Sequence, residues 1–416
     1  MGYLIAISVY LLALVIYGLV IAHKKVKTAD DMVTGGHRIP FIILVGSLLA
    51  TWCGGGGITG SAGVVYSGGP WVGAITFAAP PIGIILLYFI AGKVRKSNKV
   101  TVPEIMGARY GKAASIISAL CVMLAYVGVL ATQLKAAANI LVLLCSSSGV
   151  ELSHSMALTI CTVVIVVITV GGGMVSVAYS DAISALIMIG GFFLAIPFLI
   201  SVANSQGAVL PPEKTTITGG MSGMQILGYF LPSLALMLGD QNMLQRFASA
   251  KNSDEAKKSN IGMFIGELLV IVSIIALVTQ SAKLYPSLET PSNVIFQTAV
   301  DYLPLAFGAL VMCACMAFIV TTADSYLLVS VQTVVSDLGK TFHPAMKEKQ
   351  EILFSRIASV VLALGALVIA LYIKSAYDVL MFAWAFYAAA AGLPALAALY
   401  WKKATSAGIM AGMLGG

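Results

Sequence analysis

Eleven runs of about 20 mostly apolar residues follow one another along this chain, each long enough to cross the hydrocarbon of a bilayer as a helix. Inside hydrocarbon every backbone N–H and C=O must find a partner within the protein, which leaves helices or a closed barrel. Continuous runs without two-residue alternation predict helices, near residues 3–22, 41–66, 70–92, 113–144, 154–172, 178–202, 222–247, 261–284, 300–336, 354–373 and 376–401. Only 10% of the 416 residues are charged, against roughly 25% in a soluble domain. The expected fold class is therefore an all-α polytopic membrane protein. A further helix begins in 404–416, so the natural chain is expected to continue past Gly416.

The net charge of +7 reports orientation, since the basic residues sit between spans and no basic patch with interleaved aromatics offers a nucleic-acid surface. The loops after the first, third, seventh, ninth and eleventh spans hold almost all of them, including Lys24, Lys25, Lys27 and Arg38 in the first and Lys340, Lys347 and Lys349 in the fourth. The opposite loops hold only Lys214, Lys283 and Lys374. The positive-inside rule then places the N-terminus outside an inner or plasma membrane. The first apolar run is longer than a signal-peptide core and is kept as a helix, and Ala6 stands where myristoylation wants Ser or Thr. Six cysteines read as small side chains within or near the ends of spans, and four histidines (His23, His37, His154, His343) fall in expected loops. Neither zinc spacing nor a Cys/His nucleophile pair is present, so an enzyme is not expected.

Two spans are interrupted. TWCGGGGITGSA (51–62) places four consecutive glycines in the second, each costing a helix about 1 kcal/mol relative to alanine. A phosphate loop needs a strand that this chain lacks; close helix packing and local unwinding are the two remaining readings. Unwinding frees carbonyl oxygens, and freed carbonyls suit a cation. The seventh span carries Pro232 and the polar stretch LGDQNMLQRF from Leu238. Its offset of five spans from the second inverts its direction, and paired interruptions in two inverted units point to a secondary-transporter core with its site near the midplane.

A hard cation is held by oxygen. VTTADSYLLVS (320–330) places Thr321, Thr322 and Ser325 on one side of a helix together with Asp324, and an intramembrane carboxylate is a functional candidate by default. Asp181 is read either as the cap of its helix or as a second such acid. Lys135 is expected to pair with Asp240 or Glu267, or to face the solute, and Arg246 to snorkel to the cytoplasmic edge.

With these motifs in place, the chain resembles the sodium:solute symporter family. ATWCGGGGITGSAGVVY (50–66) looks most like the high-affinity choline transporters, and VGGGMVSVAYSDAISALIMIGGFFLAIPF, LMLGDQNMLQRF and FIVTTADSYLLVS also resemble family segments. The resemblance implies a LeuT-type 5+5 inverted repeat: 3–22 as an extra N-terminal helix, 41–202 as the first five-helix repeat and 222–401 as the second. It maps the main sodium site onto the carbonyls of Ala50, Cys53 and Phe318 and the hydroxyls of Thr321 and Thr322. A second sodium, bound by some members, maps onto Asp181, Thr321, Asp324 and Ser325. Trp52 matches an aromatic of the choline site, although Ile84 replaces another and the span from Tyr126 to Lys135 offers no tryptophan.

The expected solute contacts are Trp52, Gly56, Gly57, Lys135, Asp240, Gln241 and Asn242. Asp240 suits an amine and Lys135 a carboxylate, so an amino acid or betaine satisfies both; choline-like solutes and monocarboxylates complete the candidate class. The expectation is a monomeric sodium-coupled symporter in the lipid bilayer, with Na+ as co-transported ion and no organic cofactor. A proton-coupled symporter and the sensory domain of a signalling protein are the alternatives.

Overall fold

The computed structural model describes residues 2–415 apart from 26, 27, 29, 30, 32, 33, 98, 340, 341 and 343–346. Lys27, Lys340 and His343 lie outside the described residues. Every long element among them is helical, and the one extended pairing is an isolated bridge between Ile39 and Ala250. Among the described residues eight helices are long and apolar enough to span a membrane, or nine when the bent pair at the glycine run counts as one.

The helices used below are α1 (Gly2–Lys25), α2 (Phe41–Trp52), α3 (Gly55–Gly68), α4 (Pro70–Thr76), α5 (Ala79–Ser97), α6 (Val102–Tyr110), α7 (Lys112–Ser147), α8 (His154–Ser205), α9 (Gly223–Gly239), α10 (Gln241–Ser249), α11 (Ser253–Leu284), α12 (Val294–Asp301), α13 (Leu305–Gln332), α14 (Glu348–Tyr372) and α15 (Ala376–Tyr387). The expected fifth and sixth spans fall together in α8, divided at Gly173, whose φ of 56° and ψ of −163° break the helix where only glycine is unstrained. The expected ninth span starts later than its hydropathy suggests. Pro304 stands before α13 in an extended conformation, and the preceding apolar residues form the separate short helix α12.

Helix α13 is the centre of the molecule, packed against α8 and α7 and buried along almost its whole length, while α2 lies along α8. Helices α1 and α14 are peripheral. Large apolar side chains such as Phe89, Leu124 and Leu186 stand exposed around the belt, as a bilayer-facing surface requires.

Both expected interruptions are breaks. Helices α2 and α3 meet at a 57° bend, where Cys53 and Gly54 leave helical geometry. The Gly55 N–H, freed from its helical acceptor, donates to the Gln133 side chain of α7 at 2.7 Å. Close packing contributes as well: a Cβ on Gly54 would meet Thr322 and one on Gly55 would meet Ile319, each within 3 Å. The two readings of the glycine run therefore hold at different residues of it.

Between α9 and α10 the break is Asp240, extended at ψ 120°, with its carboxylate accepting the Asn242 N–H at 3.2 Å as an N-cap. The Gln241 N–H donates to the hydroxyls of Tyr126 (2.9 Å) and Tyr387 (3.0 Å), and Tyr387 donates to the Gly239 carbonyl at 2.9 Å. Side chains thus supply the partners that the interrupted helix gives up.

Candidate functional site

At the first break the carbonyls of Ala50 and Thr51 turn away from the helix axis toward α13. Thr321 Oγ1 lies 3.0 Å from the Ala50 carbonyl, 2.7 Å from that of Ala317 and 3.3 Å from that of Phe318. Thr322 Oγ1 lies 3.3 Å from the Ala50 carbonyl and 3.2 Å from that of Thr51. Two hydroxyls and several carbonyls, all buried, converge on one point between a broken and a continuous helix. Such a set offers oxygen lone pairs without a formal charge, suited to a hard monovalent cation. Of the expected main-site residues, Ala50, Phe318, Thr321 and Thr322 are joined by these contacts; Cys53 sits at the bend itself.

A second cluster lies between α2, α8, α10 and α13, and here a side chain is not where the sequence places it. Arg246 does not snorkel. It is 1% exposed, with Nη2 3.2 Å from Asp181 Oδ2 and 2.7 Å from Ser325 Oγ, and Nε 2.9 Å from Ser47 Oγ. Ser47 donates to Asp181 Oδ2 at 2.7 Å, and the Thr51 and Ser325 hydroxyls are 3.1 Å apart. Asp181 lies two turns beyond Gly173 inside α8 and caps nothing. Of the four residues mapped to a second sodium, Asp181 and Ser325 hold the guanidinium and Thr321 turns to Ala50. Asp324 keeps Oδ2 without a hydrogen-bond partner, as does Asp181 with Oδ1.

Beside the first cluster is a narrow cavity of about 60 Å³. Trp52, Gly56, Gly57, Phe318 and Trp384 line it, with Glu267 of α11 and the aromatic rings of Phe77, Tyr229 and Tyr377. Trp52 and Trp384 stack at 5.6 Å between ring centroids, and Tyr229 and Tyr377 lie 5.4 Å apart. A Cβ on Gly57 meets nothing within 4 Å, so this glycine opens the cavity, whereas Gly56 and Gly60 are packed under Leu380 and Tyr377.

A family model describing the sodium:solute symporter family matches residues 32–416. The chain belongs to the sodium:solute symporter family. Among curated relatives of this symporter, the sodium/proline symporter of Haemophilus influenzae is 26% identical, covering 99% of this chain and 86% of that protein. The high-affinity choline transporter 1 of Drosophila melanogaster is 23% identical over 90% of this chain and 62% of its own length. Among solved structures, a Na+-coupled sialic acid symporter in an outward-open state superposes with a TM-score of 0.81 at 17% identity, covering 98% of this chain and 88% of that one. The fold is the LeuT-type inverted repeat behind one extra N-terminal helix.

The residues expected to contact the solute fall in different places. Trp52, Gly56 and Gly57 line the cavity; Lys135, Asp240, Gln241 and Asn242 do not. Asp240 accepts a hydrogen bond from Tyr126, and Gln241 Nε2 donates to Thr333 at 3.0 Å, so these polar groups hold the second break together. Lys135 forms no ion pair with Asp240 or Glu267; it is half-buried on α7, near the His154 end of α8. Trp384, Tyr377 and Tyr229 escape sequence reading because a single aromatic in an apolar span carries no distinguishing signal. Glu267 does carry one, as a carboxylate at membrane depth, but spacing alone assigns it the wrong neighbour.

Proposed function

We propose that this symporter imports a small organic solute by alternating access, driven by one sodium ion held at the first break. The supporting observation is the convergence of Thr321 Oγ1 and Thr322 Oγ1 on the Ala50 carbonyl, where the glycine run has removed the helical hydrogen bonds. The ion's ligands are the carbonyls of Ala50, Cys53 and Phe318 and both threonine hydroxyls, whose lone pairs turn to the ion when it binds. Sodium there completes the wall of the solute cavity, so binding of one favours binding of the other. The second cluster supports a single ion, since Asp181 and Ser325 already serve the resident cation of Arg246.

The N-terminus is assigned to the outside, with 41–202 and 222–401 as the two repeats and the monomer as the working unit. The test is uptake into proteoliposomes of proline, glycine betaine, choline, pantothenate and lactate, with and without an inward sodium gradient. Sodium-driven uptake with a Hill coefficient near one is expected; sodium-independent uptake overturns the reading. A proton-coupled cycle has one observation in its favour, the unpartnered Oδ2 of Asp324, and uptake driven by a pH gradient in sodium-free buffer would establish it instead.

A further inference from the structure

Glu267 is a carboxylate 4% exposed in the middle of α11, with no cationic side chain paired to it among the described residues. Its Oε2 accepts the Cys53 thiol at 3.0 Å, and the carboxylate lines the cavity. A buried carboxylate is costly unless a cation faces it, and no Lys or Arg lines this cavity to do so. The rings of Trp52, Trp384, Tyr377 and Phe77 line the same cavity, and an aromatic face attracts a cation while rejecting an anion.

We infer that the solute carries an ammonium nitrogen on a compact aliphatic body, seated on Glu267 beside the stacked pair of Trp52 and Trp384. The inference rests on the cavity being the solute site. Carboxylate alone does not qualify a solute, because no cationic side chain in the lining would meet it and Glu267 would repel it. A carboxylate added to an ammonium is tolerated beside the unencumbered Gly57 at the start of α3, where the helix presents its positive end. Among the solutes named for the relatives above, proline and choline satisfy this requirement and sialic acid does not.

The experiment measures sodium-driven uptake of choline, glycine betaine, proline, pantothenate and lactate by the wild type and by Glu267→Gln. Uptake of an ammonium solute is expected, with KM raised at least about 30-fold in the variant and the sodium dependence unchanged. Quenching of tryptophan fluorescence by the same solute in detergent gives a second readout, expected in the wild type, weakened in Glu267→Gln and reduced in Trp384→Leu with Trp384→Phe intermediate. Preferential uptake of pantothenate or lactate, or no uptake of any ammonium solute, overturns the inference. So does a Glu267→Gln protein that alters sodium dependence but not KM, which would make Glu267 a partner of the ion. Ammonium uptake without sodium would overturn the coupling proposed above and leave this inference standing.

Discussion

The guanidinium of Arg246 lies 3.2 Å from the Asp181 carboxylate, both side chains at most 1% exposed. The pair ties α10, at the second break, to α8, while Ser47 of α2 and Ser325 of α13 share the guanidinium. One charged contact therefore joins segments from both halves of the chain beneath the two breaks.

Removing either partner leaves the other charge buried and uncompensated, which costs about 3–5 kcal/mol. Arg246→Met and Asp181→Leu are each expected to lower the midpoint of thermal unfolding in detergent strongly. The double variant should recover a large part of the loss. Additive losses in the double variant would mean that the two residues are not coupled.

Thr321 and Thr322 are expected to set sodium affinity. Losing two neutral hydroxyl ligands at about 1 kcal/mol each raises the sodium concentration for half-maximal uptake at least about tenfold. The Thr321→Ala/Thr322→Ala variant should show this in uptake titrated against sodium, and Thr321→Ser/Thr322→Ser should restore most of the affinity.

Neighbouring glycines are expected to respond differently. Gly57 faces open space, so Gly57→Leu should abolish uptake while shifting stability by no more than about 0.5 kcal/mol. At Gly60 an added Cβ would stand 1.8 Å from the Tyr377 ring, and Gly60→Ala should destabilise the protein by about 1–3 kcal/mol. Thermal unfolding followed beside solute uptake separates the two outcomes.

Tyr126 donates to Asp240 and accepts from the Gln241 N–H at the second break. Tyr126→Phe removes both contacts and leaves the buried carboxylate short of a donor, at a cost of about 1–3 kcal/mol. A lowered unfolding midpoint checks it, with Tyr387→Phe expected to act in the same direction through the Gly239 carbonyl.

Hydropathy alone located the apolar helices, because a membrane helix must satisfy its backbone internally, but it did not show the division at Gly173 or the late start of α13 after Pro304. Glycine weakens a helix wherever it goes, so the bend at Cys53–Gly54 was legible in the sequence; the second break falls at Asp240, in the polar stretch from Leu238, while Pro232 stays within α9. Which side chains meet was a different matter. Arg246 reads as a snorkelling residue near a helix end, and only the approach of α2, α8 and α13 surrounds it with Asp181, Ser47 and Ser325. Lys135 and Asp240 read as a pair or as solute ligands; in the structure Asp240 caps α10, and the two residues form no ion pair. Glu267 and Trp384 are more than 100 residues apart in sequence and become a single wall only when α11 and α15 close around the glycine bend. Periodicity and composition act within one helix, whereas the partners of a buried charge are chosen by packing between helices distant in the chain, and that choice belonged to the tertiary structure.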